Sequence, residues 1–115
     1  MTRCRLSAAL VVLVLLVSGA ALAQTPTPAE IRVKADAGDA NAQGLLGFYY
    51  STGQGVPQDF VEAHKWHNLA ASRASVENRK RFAERRDAVA AVMTPQQIAD
   101  AQQLAREWQA AFDAR

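Results

Sequence analysis

Apolar residues recur through residues 38–72 at the spacing of two amphipathic helices. Ala42, Leu45, Leu46, Tyr49 and Tyr50 stand at i, i+3, i+4, i+7 and i+8, the stripe that one helix face presents to a core. Asp39 precedes the stripe and is the expected N-cap, because its short side chain accepts from free N–H groups of the first turn. Gly47 falls mid-helix, where it costs about 1 kcal/mol relative to alanine. Close approach of a second helix accounts for it best. Gly53 is expected to end this helix in the left-handed conformation that glycine takes without steric cost, and Gly55 and Pro57 continue the turn. A second stripe, Phe60, Ala63, His67, Ala70 and Ala71, begins at Asp59 or just before it, with Trp66 on its flank. Small residues at 63, 70 and 71 would let this helix lie close to Gly47. The connecting loop is short, so the two helices are expected to be antiparallel neighbours.

Three more helices are expected outside this hairpin. Gln24 to Pro28 (QTPTP) reads as an extended Pro/Thr linker. Thr27-Pro28-Ala29-Glu30 then forms a capping box, with Pro28 at the first helical position. Its helix would run to about Ala37 and end at Gly38, with Ile31 and Ala35 as apolar residues and Val33 at the margin. Residues 75–93 contain no Gly or Pro and carry a stripe of Phe82, Ala83, Val89, Ala90 and Met93, weak in its first two turns. Thr94-Pro95-Gln96-Gln97 is a second capping box. Ile98, Ala101, Ala105, Trp108 and Phe112 follow, widened by Leu104 and Ala111, and make the clearest amphipathic helix of the chain.

The residues of the hairpin carry a resemblance. Leu46, Gly47, Tyr50, Gly53, Gly55, Val56, Asp59, Phe60, Ala63, Trp66, Ala70 and Ala71 stand at the spacings of a Sel1-like repeat. That family is an α/α solenoid related to tetratricopeptide repeats, and its members usually serve as protein-binding scaffolds. The match covers one full repeat and departs at His67, where the family often has Tyr. The segment from Met93 to Trp108 resembles the tail that follows the last repeat in many bacterial members. The resemblance implies an all-α fold, a short solenoid of antiparallel helix hairpins with four to five helices. In this layout residues 38–72 are the repeat core of a helical domain over 29–115. Helices 75–93 and 95–112 cap it, the last by burying Trp108 against the preceding helix.

The N-terminus reads as a delivery signal. Arg3 and Arg5 precede an apolar run from Leu6 to Val17, and Ala21-Leu22-Ala23 fits the A-x-A cleavage pattern. Cleavage after Ala23 would remove 23 of 115 residues and leave 92, in the periplasm or secreted. An uncleaved anchor is the alternative, since Leu6 to Ala23 is at the lower limit for spanning a bilayer. The whole chain carries 13 basic and 11 acidic residues, and Arg3 and Arg5 lie in the signal, so 11 face 11 beyond it. The basic balance therefore gives no reason to expect nucleic acid. The one cysteine, Cys4, also lies in the signal, so a disulfide framework is excluded from the rest.

Candidate chemistry is sparse. His64 and His67 stand at i, i+3, but two ligands fall short of the four of a structural metal site. His67 is expected on the packing face and His64 off it. Gly53 and Gly55 follow a helix and lack the strand and Lys-Ser/Thr of a phosphate loop. No catalytic residue, cofactor or metal is expected. From Arg73 to Asp87, six cations face three carboxylates. This reads first as a solvated face with pairs such as Glu77 and Arg81, and otherwise as a binder of anionic glycan or lipid through Arg79 to Arg86. Solenoids usually need at least three units to bury a continuous core, and this chain has about two and a half helix pairs. The expected role is a non-enzymatic protein-interaction module, with Phe48 and Tyr49 on the open side of the repeat and Arg79 and Arg86 on the basic helix as partner-binding residues. The partner is another protein, or a second copy of the chain.

Overall fold

The computed structural model of the protein describes residues 25–115; the expected signal segment 1–23 and Gln24 lie outside the described residues. Among the described residues all regular structure is helical. The five helices are α1 (Pro28–Asp36), α2 (Ala40–Thr52), α3 (Phe60–Arg73), α4 (Val76–Ala90) and α5 (Pro95–Asp113). No helix of the described residues is long and apolar enough to cross a membrane.

Local side-chain chemistry sets the helix starts. The Thr27 hydroxyl accepts from the Glu30 N–H at 3.3 Å, and the Glu30 carboxylate accepts from the Thr27 N–H at 3.2 Å. Thr94 and Gln97 repeat the exchange at 3.1 and 2.9 Å at the head of α5. Each box satisfies backbone donors that a helix N-terminus leaves free. Asp39 and Asp59 cap α2 and α3 by accepting from the N–H groups of Ala42 and Glu62. Gly53 closes α2 in the left-handed region, at φ 74°. Helix α4 is shorter than its sequence stripe, ending at Ala90 rather than Met93. The N–H groups of Val92 and Met93 there donate to carbonyls only three residues back. That tight turn reverses the chain into α5.

Helix α3 is the hub: α2, α4 and α5 all pack against it, while α1 packs against α2. This corrects two expectations about its faces. Trp66 is fully buried at the centre of the core, with Ile31, Ala35, Leu46, Leu69 and Ala105 around it, rather than on a flank. His64 is buried like His67, 3% against 2% exposed, rather than off the packing face. A helix approached from three sides buries more than one stripe, so every residue from 63 to 67 is buried.

Glycine makes room for these contacts on α2. The His67 ring lies where a Cβ on Gly47 would come within 2.8 Å of it. The close approach expected at Gly47 is therefore made by an imidazole, not by the alanines of α3. At Gly44 a Cβ would stand 2.1 Å from Cε1 of Phe82, so this glycine is the slot that admits the α4 ring. Phe82 also packs against Ala70 and Ala74.

Helix α5 takes an unexpected path. It crosses α3 and reaches the α1–α2 turn, touching α4 at most marginally. Trp108 is half-buried and packs edge-on against Trp66 at 6.0 Å between ring centroids, not against the preceding helix. Its indole N–H donates to Asp36 Oδ1 at 3.2 Å, and its ring stacks on Phe112 at 5.0 Å. Arg73 lies over Phe112 at 4.2 Å and donates to the Gly38 carbonyl and to Gln109 Oε1. The reason is the supply of apolar surface. The large ring of α4, Phe82, is already buried against α2 and α3, whereas Trp66 offers an aromatic edge to a second tryptophan.

Candidate functional site

Because α5 leans toward α1, it separates from α4 and leaves a strip of α3 uncovered between them. Asn68 and Ser72, one turn apart, form the ridge of this strip and border a hollow on either side. The hollow toward α4 is about 390 Å³, with Ala71 and Ala83 as its apolar floor and Arg79, Lys80 and Arg86 as its wall. The hollow toward α5 is about 490 Å³, floored by Leu69 and Ala105 and walled by Gln102, Arg106 and Gln109. The two hollows adjoin along this ridge as the halves of a shallow cleft, with four cations and no carboxylate among the lining residues.

The cations are held to different degrees. Arg86 donates to Asn68 Oδ1 at 3.1 Å and pairs with Asp87 at 3.0 Å, which ties α4 to the ridge. Lys80 pairs with Glu84 at 3.8 Å; this replaces the expected Glu77–Arg81 pair, since Arg81 lies over the Phe82 ring. Arg79 donates through Nε to the Ala74 carbonyl at 3.1 Å, at the C-terminal end of α3 where helix carbonyls are partially negative. Arg106 donates to Gln103 at 2.7 Å. Neither Arg79 nor Arg106 has an ion pair among the described residues. One cation without a carboxylate thus stands on each wall.

The structure distributes the residues expected to bind a partner over two places. Arg79 and Arg86 share the α4 wall of the cleft. Phe48 and Tyr49 lie on α2, 6.2 Å apart between ring centroids; Phe48 is exposed, and Tyr49 is half-buried against the core. The cleft residues Asn68, Ser72, Gln102, Arg106 and Gln109 are not legible as a site in the sequence. Each is an ordinary polar residue on a helix face, and only the diverging path of α5 gathers them.

The two histidines are neutral structural groups at neutral pH. Burial pushes His67 down to about 4, with the Arg85 guanidinium and then His64 acting in the same direction. Burial and Arg86 also lower His64, opposed by Asp87. Nδ1 of each ring is buried without a hydrogen-bond partner. Among the described residues no group of three or more His, Cys, Asp or Glu side chains is placed to hold a metal.

The cleft lining consists of amides, guanidinium and ammonium groups, three alanines, a leucine and one hydroxyl. Its one hydroxyl, on Ser72, donates to the Leu69 carbonyl of its own helix, and no carboxylate or imidazole lines it. No family model, no curated protein and no solved structure matches the chain.

Proposed function

We propose that this chain is a small periplasmic or secreted protein-interaction module, built on a single Sel1-like repeat and without catalytic activity of its own. The observation that carries the reading is the uncovered strip of α3, an open cleft with amide, hydroxyl and guanidinium groups over an alanine and leucine floor. The repeat positions supply the scaffold: Gly47 admits His67, Gly53 turns the chain, Asp59 caps α3 and Trp66 fills the core. Arg79 is anchored through Nε to the Ala74 carbonyl and Arg86 to Asn68, so both line the cleft rather than projecting together with Arg81 and Arg85 as a flat face for a membrane or polysaccharide surface. For that reason the anionic-surface reading ranks second.

The test is photo-crosslinking in the native envelope, with the reactive group placed at Ser72 and, separately, at Phe48. A discrete protein adduct from Ser72 and a weaker one from Phe48 is the expected result. Recovery of the chain alone from both positions contradicts the proposal, and adducts confined to Phe48 move the binding surface to α2.

A further inference from the structure

We infer that the cleft over α3 recognises an acidic, extended protein segment, with two of its carboxylates held by Arg79 and Arg106 from opposite walls. This rests on the protein-interaction reading and specifies its partner's chemistry.

The charge of the cleft lining is complementary to an acidic segment. Beyond the expected signal, the chain balances 11 basic against 11 acidic residues, yet the cleft lining holds four cations and no carboxylate, and only Lys80 and Arg86 are paired, with Glu84 and Asp87 outside the lining. Segregation of charge in a neutral chain creates a local field that a net-charge count conceals, and a concave site focuses it. Arg79 and Arg106 are the two cleft cations without a carboxylate partner among the described residues, and each is steadied by a neutral acceptor. Guanidinium groups take carboxylates in bidentate geometry, which adds direction to charge.

The rest of the cleft suits a polypeptide. The Gln102 amide has no hydrogen bond among the described residues and Asn68 keeps its N–H donors, with its oxygen on Arg86, so the cleft presents a donor–acceptor pair that an extended backbone can match. The alanine floor leaves depth for a main chain. A flat array of lipid headgroups would need its cations presented outward. Arg81 and Arg85 are the exposed cations of α4 outside this lining, and they provide the internal control.

The probe is a fluorescent ten-residue peptide of alternating Glu and Ala, read by anisotropy against the chain from residue 24 onward. Its Gln-for-Glu counterpart and vesicles of phosphatidylglycerol and phosphatidylcholine serve as competitors. The expected result is binding of the Glu peptide at least tenfold tighter than the Gln peptide. The double variant Arg79→Ala/Arg106→Ala should lose at least tenfold, and Arg81→Ala/Arg85→Ala less than twofold. Equal losses in the two double variants would mean unspecific attraction to basic charge and overturn the inference. So would preference for the vesicles, or no difference between the two peptides. The helical circular dichroism of each variant confirms that it is folded. A Ser72 crosslink to a partner lacking any acidic segment would sink the acidic specificity while leaving the interaction reading intact; absence of any adduct would remove both.

Discussion

Helix α3 has two unlike flanks, and both carry arginines. On the Trp66 flank, Arg32 lies 5.3 Å from the Trp66 ring centroid and pairs with Asp36, while Arg73 covers Phe112 and donates to Gly38 and Gln109. Each guanidinium there has aromatic faces and oxygen acceptors, so it tightens the packing of α1, α3 and α5. On the Asn68–Ser72 flank, Arg79 and Arg106 have a single neutral acceptor each and face an open cleft. The same residue type does structural work where the structure completes its partners, and is left available where the structure does not. The difference arises from one geometric choice, the path of α5 toward Trp66 and away from α4.

The largest expected effect lies on the packed flank. Trp66→Ala should cost 3–5 kcal/mol, roughly the range for truncating a fully buried aromatic, measured by urea unfolding. Trp108→Ala should cost less, because its ring is half-buried. Equal costs would mean that α5 shares the core on the same terms as α3, and would blur the comparison.

Acid comes next. His67 has its folded value lowered to about 4 from an ordinary 6.5, so the unfolded chain binds the proton more readily. Stability is then fully present above pH 6.5 and falls as pH drops through the window from 6.5 to about 4. That difference corresponds to about 3 kcal/mol at most, and His64 adds in the same direction. Urea unfolding between pH 7.5 and pH 4 checks this, and His67→Leu should flatten much of the profile. An unchanged acid dependence in that variant would place the titration elsewhere.

A smaller effect is expected where α2 meets α4. Gly44→Ala pushes a methyl into the Phe82 ring, and overpacking of this kind typically costs about 1–3 kcal/mol. Combined with Phe82→Leu, the cost should be less than the sum of the single changes, since both act on one contact. Simple additivity would show that the slot is not tight.

The sequence made the fold legible where local chemistry decides it. Thr27, Asp39, Asp59 and Thr94 start helices because each side chain caps within three residues of itself, and Gly53 ends one through its own backbone freedom. The stripe on α2 and the need for space at Gly47 were also readable, because a helix period is a local property. What escaped depended on distant partners. Trp66 reads as flanking until three helices surround α3, and His64 follows it. Gly44 carries no signal until Phe82, 38 positions away in the chain, fills its slot. The cleft lies at the far end of this scale. Its Arg79 and Arg86 stand out in the sequence as charge, but Asn68, Ser72, Arg106 and Gln109 are brought together only by the route of α5.

The smallest expected stability effect belongs to the open flank. Arg73→Ala should lower stability by about 2 kcal/mol, the loss of a charged donor with its carbonyl acceptor and ring contact. Arg79→Ala/Arg106→Ala should cost about 1 kcal/mol, the loss of the Arg79 bond to the Ala74 carbonyl without any ring contact. The decisive measurement pairs urea unfolding of these two variants with Ser72 crosslinking of each in the native envelope. The cleft variant should be destabilised clearly less than Arg73→Ala and lose its protein adduct, whereas Arg73→Ala, while folded, should keep it. A cleft variant as destabilised as Arg73→Ala, or one that retains the full adduct, would contradict the division of α3 into a packed flank and a binding flank.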